Sequence, residues 1–199
     1  MNDTQFIPEK TKKKPSKFAL GAFEVFESFV CAAIVVLIVL TFFFKICIVE
    51  GSSMNKTLYE GEKLIVQSFA YTPKEEDIIV FHQTGTFLNE PVVKRVIATG
   101  NKWVKIDYAA KTVYVSEDRI YNESDIVDDS DYVYLSFGKY NQSGIYEVQV
   151  PEGYLFVMGD NRNDSADSRS SLIGLVDERR VLGKVVLRIT PFDKFGIVK

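Results

Sequence analysis

The chain has 199 residues, 46% of them hydrophobic, with 24 Lys and Arg against 27 Asp and Glu. That length holds one ordinary domain plus an appendage, and a net charge of −3 lacks the basic excess of a nucleic-acid-binding protein. Two cysteines and one histidine, His82, cannot supply a disulfide framework, a four-ligand zinc site or chemistry that needs two histidines.

The charge is unevenly placed. Residues 1–17 carry Lys10, Lys12, Lys13, Lys14 and Lys17 against Asp3 and Glu9, which leaves the remainder acidic. From Ser28 to Phe44 no charged residue occurs. At about 1.5 Å per residue that run is slightly short for a hydrocarbon core of roughly 30 Å. Continuing through Ile46, Cys47 and Ile48 makes it long enough, with Lys45 reaching its ammonium to the interface. Apolar residues on every face argue against an amphipathic core helix. The stretch from Lys45 to Glu50 lacks the small residues of a signal-peptide cleavage site. The expectation is an uncleaved transmembrane anchor at 28–48, a basic cytoplasmic segment at 1–27 and an extracytoplasmic domain at 49–199. On one continuous helix Cys31 and Cys47 lie roughly 24 Å apart, too far for a disulfide.

The remainder reads as β-rich. Short alternating or β-branched runs occur at 63–69, 77–82, 92–97, 103–107, 111–116, 146–150, 154–159 and 181–189, punctuated by Gly, Pro, Asn and Asp. Residues 117–145 are acidic and rich in Tyr, Ser and Asn, as expected of a surface excursion. The fold class expected is mainly β, an antiparallel sheet domain behind one N-terminal transmembrane helix. The triplets at Asn55, Asn122, Asn141 and Asn163 are weak signals of glycosylation.

Three segments carry the chemistry. Gly51-Ser52-Ser53-Met54 places a serine beside glycine, where a turn can present the hydroxyl and aim the backbone N–H inward. Taken alone, it also reads as a Ser-rich loop after a membrane helix. In Val92-Val93-Lys94-Arg95-Val96-Ile97, strand alternation puts Lys94 on one face with Val92 and Val96, and Arg95 on the other. A lysine between valines is open to desolvation, which lowers its pKa; it equally suits an edge strand with its ammonium in solvent. Residues 158–169 are dense in Asp, Arg and Ser and can fix their own shape by ion pairing, or form a solvated loop.

Together these segments resemble the type I signal peptidases (leader peptidases, peptidase family S26), in the Gram-positive form with a single anchor. The resemblance rests on Gly51-x-Ser53-Met54-x-x-Thr57-Leu58, residues 77–81, residues 93–97 and Gly159-Asp160-Asn161-Arg162-x-x-Ser165-x-Asp167-Ser168-Arg169, in family order. It implies a membrane-bound serine endopeptidase that removes signal peptides after small residues of the Ala-x-Ala type. Ser53 matches the nucleophile and Lys94 the general base of a Ser/Lys dyad; Ser165 matches the hydroxyl that orients the lysine. Arg95, Asp160, Asp167 and Arg169 match residues whose ion pairs hold the site. The Ser53 N–H is one oxyanion donor, with Gly51 where some relatives carry serine. Ile48, Met54, Leu58, Val92 and Val93 are the implied pocket walls. No cofactor or metal is implied. The implied partners are signal peptides of exported preproteins, the lipid bilayer and the secretion translocon, and not nucleic acid. The implied location is the plasma membrane, single-pass, with the N-terminus in the cytoplasm. Lys56 departs from the pattern, which carries proline there, a residue that would stiffen the turn. The alternative is a non-catalytic or dedicated factor for assembling pili or surface proteins, and the nearest enzyme rival a soluble Ser/Lys self-cleaving repressor.

Overall fold

The computed structural model describes residues 17–82, 90–131, 133 and 144–198. It divides into two compact units, residues 1–41 and 42–199.

The first unit is dominated by helix α1, Lys17–Phe43. Residues 22–43 contain neither Gly nor Pro, so nothing interrupts the i→i−4 ladder. Its apolar side chains from Gly21 to Phe43 are exposed, and that stretch is long and apolar enough to cross a membrane.

The helix ends earlier than the sequence suggests. Residues 44–48, expected as the last turns of the anchor, form strand β1, Phe44–Ile48. Phe, Ile and Cys suit a pleated surface, and β1 lies antiparallel to β2, Lys63–Gln67, with Phe44 opposite Gln67 and Ile48 opposite Lys63. The chain therefore changes from helix to strand between Phe43 and Phe44, one residue before Lys45. Cys47 is on β1, so a separation from Cys31 counted along one helix does not apply; both thiols are free.

The second unit contains two antiparallel sheets. The larger runs β1, β2, β10 (Val181–Thr190), β3 (Ile78–Phe81), β4 (Val92–Ala98), β8 (Tyr154–Met158) and β9 (Val176–Asp177), with β11 (Gly196–Ile197) paired to β10. The smaller runs β6 (Thr112–Ser116), β5 (Lys102–Asp107) and β7 (Ile145–Val150). The alternating runs read from the sequence all fall on strands; β1, β9 and β11 are additional. Of the excursion at 117–145, residues 117–131 form turns and a short 3-10 helix, largely exposed but with Val127 packed against a core, while 132 and 134–143, Asn141 among them, lie outside the described residues.

Strands β3 and β4 lie inside the large sheet, and every residue of β3 is buried. Its side chains feed two cores: Ile78 and Val80 pack with Met54, Leu58, Leu64 and Val93, whereas Ile79 and Phe81 pack with Val96, Leu155 and Val157. Both faces of the sheet are covered here, so Lys94 and Arg95 are both buried although they point oppositely. A third core joins the sheets through Val104, Ile106, Phe156 and Met158.

Candidate active site

Three pieces of chain converge at one end of β4. The turn at 51–58 enters directly from β1, and Gly51 holds φ +76°, a left-handed conformation that a β-carbon disfavours. Met54 and Leu58 plug the turn into the core, leaving Ser53 at the rim of an open cleft. Lys94 comes from the middle of β4, paired across the sheet with Ile79. The third piece, residues 159–169, follows β8.

The cleft has a volume of about 570 Å³ and contains Ser53 and Lys94. Lys94 Nζ lies 2.7 Å from Ser53 Oγ and donates to the Val93 carbonyl at 2.8 Å. Burial strips the ammonium of hydration and lowers its pKa to about 8, against the pull of the Asp167 and Asp160 carboxylates, which raise it. A neutral amine at this distance can take the proton of a hydroxyl.

The loop behind the pair is cross-braced. Asp160 accepts from Arg95 Nε at 2.9 Å and Nη2 at 2.8 Å, and from the Thr57 hydroxyl, which ties the loop to both β4 and the Ser53 turn. Arg169 makes a two-pronged contact with Asp167 at 2.8 Å and reaches the Arg162 carbonyl. Burial pushes the Asp167 carboxyl up, but the Arg169 hydrogen bond and charge outweigh it and leave it below the usual carboxylate range. The Asn161 N–H donates to the Ser53 carbonyl at 3.0 Å and its side-chain amide to the Ser52 carbonyl at 3.1 Å. A β-carbon on Gly159 would stand 2.4 Å from that Ser53 carbonyl oxygen, so only glycine permits this approach.

Across residues 22–190 the chain matches the family model described as signal peptidase, peptidase S26. The chain belongs to this family. It is 32% identical over 195 residues to signal peptidase I of Bacillus licheniformis, covering 92% of this chain and 97% of that protein. It is 31% identical over 166 residues to signal peptidase IB of Staphylococcus aureus, covering 74% and 78%. A crystal structure of a signal peptidase I from Enterococcus faecalis aligns with 25% identity and a TM-score of 0.37, over 57% of this chain and 97% of that one.

Within this signal peptidase family chain, the residues singled out from the sequence do not all stand where expected. Ser53 and Lys94 meet, and the two ion pairs form. Ile48, Met54, Val92 and Val93 line the cleft. Leu58 does not: it is fully buried in the core beneath the turn, because its helical spacing from Met54 turns it inward. Ser165 is buried and its hydroxyl helps hold the Asp167 carboxyl low, while the Val93 carbonyl is the second partner of Lys94. The Ser52 hydroxyl donates to Asp164 at 2.9 Å and is thus occupied away from the pair. Asn161, Gly159 and Thr57 belong to the motifs, but their parts in seating the Ser53 turn follow only from the fold; the position of Asn161 next to Asp160 is the signal the sequence holds. The cleft also holds Glu50 and Glu90, and the neighbouring Glu90 carboxyl, by hydrogen bonding and repulsion, pushes the Glu50 pKa up.

Proposed function

We propose that this chain is a membrane-anchored serine endopeptidase that removes signal peptides from exported preproteins, with Ser53 as nucleophile and Lys94 as general base. The observation that carries the reading is the 2.7 Å approach of a desolvated lysine to a serine at the rim of an open cleft. With a pKa of about 8, roughly a tenth of Lys94 is neutral at pH 7, against less than about 0.1% for an ordinary lysine.

Ser53 Oγ attacks the carbonyl carbon of the scissile bond while Lys94 Nζ takes its proton. The tetrahedral oxyanion is received by the Ser53 N–H, with Gly51 leaving the approach open. The resulting ammonium returns its proton to the leaving amine, and water then cleaves the acyl-enzyme with Lys94 again acting as base. The Ser165 hydroxyl, buried in the loop behind the pair, is assigned to orienting the lysine, as the family pattern implies. Arg95–Asp160 and Asp167–Arg169 keep Ser53 and Lys94 in register.

An extended signal peptide lies between the chain segments around Ile48 and Val92, adding its backbone to those edges. Ile48, Met54, Val92 and Val93 form the apolar walls that accept small side chains of the Ala-x-Ala type. Helix α1 anchors the chain in the plasma membrane with the lysine-rich N-terminus in the cytoplasm and residues from about 44 onward outside. Enzyme and membrane-inserted preprotein then meet in two dimensions near the translocon, which raises their effective concentration.

The test is cleavage of a membrane-anchored Ala-x-Ala preprotein by the full chain in lipid, beside Ser53→Ala and Lys94→Ala. Cleavage at that bond, lost in both variants, is expected. Unchanged cleavage by either variant overturns the assignment.

A further inference from the structure

The turn that carries Ser53 is held internally only by short-range bonds: Asn55 N–H to the Ser52 carbonyl at 3.0 Å, and Thr57 and Leu58 N–H to the Met54 carbonyl at 3.1 and 2.8 Å. Such local bonds open easily unless neighbouring chain restrains them. On one side Asp160 and Asn161 provide that restraint, and Arg188 Nη1 donates to the Thr57 carbonyl at 3.1 Å at the end of the turn. On the other side stands Lys56, in place of the family pattern's proline.

Lys56 holds φ +89°, far from the value near −65° that a proline ring imposes. Lysine tolerates this left-handed conformation at some cost. Its ammonium donates to the Ser130 carbonyl at 3.1 Å and lies 3.5 Å from the Val133 carbonyl. Asp128 and Asp131 line the same cavity as Lys56. The partner segment is itself docked: Asp129 Oδ2 lies 2.8 Å from Nη1 of Arg162, whose side chain is 1% exposed and belongs to the loop behind the Ser/Lys pair. Residues 128–131 with Val133 thus touch both pieces of chain that build the cleft. Lys56 grips a fixed partner rather than a free surface loop.

We propose that Lys56 and residues 128–131 with Val133 form a strap that positions the Ser53 turn, making Lys56 a positioning residue for the reaction. This rests on the reading of Ser53 as nucleophile. The stiffness that a proline ring gives from within the turn is supplied here by a cation reaching across to a second segment. The contact is solvent-exposed and adds little to global stability, so its removal acts on the placement of Ser53 more than on the fold.

The test compares Lys56→Met, Lys56→Arg and Asp129→Asn in the full chain in detergent, by two readouts. The first is hydrogen exchange. Lys56→Met and Asp129→Asn are expected to speed exchange about tenfold at the amides of Asn55, Thr57 and Leu58 while strands β4 and β8 keep the parent rates. Lys56→Arg restores most of the protection. The second is kinetic: with an Ala-x-Ala peptide, Lys56→Met lowers kcat about tenfold with KM within about twofold, and raises the apparent pKa of kcat/KM as water reaches Lys94. Parent exchange rates at these amides in Lys56→Met overturn the strap whether or not the chain cleaves the peptide. Faster exchange with unchanged kcat and pH profile overturns the positioning role. Should Lys56→Met exchange quickly throughout the sheet, Asp129→Asn, which leaves Lys56 in place, decides by the same criteria. A parent chain that cleaves nothing speaks against the peptidase reading, while the exchange readout still decides the strap.

Discussion

Arg95 and Asp160 meet through two parallel hydrogen bonds of 2.9 and 2.8 Å, with neither side chain more than 2% exposed. Arg95 also donates to the Glu76 carbonyl, and Asp160 also accepts from Thr57, so each member of the pair has a further partner. Arg95 precedes no bend or loop; it sits in a central strand beside Lys94, and the sheet sends the two cations to opposite faces. One meets a carboxylate. The other meets a serine and a carbonyl, and burial weakens its hold on the proton.

Asp160→Asn leaves the Arg95 guanidinium buried without its counter-charge, and a buried pair broken from one side typically costs about 3–5 kcal/mol. The expected outcome is a large fall in the urea midpoint. Asp177→Asn is the control, since its partner Arg179 is 87% exposed; there the change should stay within about 0.5 kcal/mol. Equal midpoints for the two variants would refute the structural weight given to Arg95–Asp160.

Cleavage should follow the neutral fraction of Lys94. With Lys94 as the proposed base the active form carries the deprotonated amine, so kcat/KM is expected to climb with pH through an apparent pKa near 8 and to fall tenfold per pH unit well below it. A profile that keeps climbing up to pH 10 with no inflection near 8 is incompatible with a desolvated base.

The same shift makes Lys94 a stability liability. Its pKa is about 8 folded and near 10.5 unfolded, so between these values the unfolded chain binds more protons and stability rises with pH. The cost of the buried ammonium is complete below pH 8 and is relieved towards pH 10.5; the full shift corresponds to on the order of 3 kcal/mol. Lys94→Met removes that cost but leaves the Val93 carbonyl short of a partner, which costs about 1 kcal/mol. A net gain of roughly 1–2 kcal/mol at pH 7 is expected, shrinking at pH 10, read as the difference in Tm between variant and parent. A difference that is the same at both pH values contradicts this account.

Much of this was legible in the sequence because strand periodicity and local motifs are local signals. The alternation around Lys94 placed it opposite Arg95, and the density of Asp and Arg at 158–169 announced a self-braced loop. What the sequence did not reveal depends on partners distant along the chain. Whether Lys94 lay on an edge or a central strand depends on β3 and β8 covering it. The switch from helix to strand at Phe44 depends on β2 being present to pair with it, since phenylalanine stands on both sides of the switch. Leu58 reads as a pocket wall until the packing of Leu64 and Val93 beneath the turn is known. Lys56 reads as a looser version of proline, yet its left-handed φ means that proline could not enter this turn without rebuilding it.

Gly159 offers the sharpest steric test of how the Ser53 turn is seated. A β-carbon there would lie 2.3 Å from Ser165 Oγ, 2.6 Å from Ser165 Cβ and 2.4 Å from the Ser53 carbonyl oxygen. The serine side chain can be trimmed; the Ser53 backbone cannot. Gly159→Ala is therefore expected to displace the Ser53 turn by a large fraction of an ångström, enough to lower kcat by about a hundredfold. Gly159→Ala combined with Ser165→Gly removes both serine contacts but keeps the backbone clash, so activity should stay low. Measuring kcat for the single and double variants beside Ser165→Gly alone separates the two contributions. Recovery of the Ser165→Gly rate in the double variant would show that the approach to Ser53 is not what glycine protects.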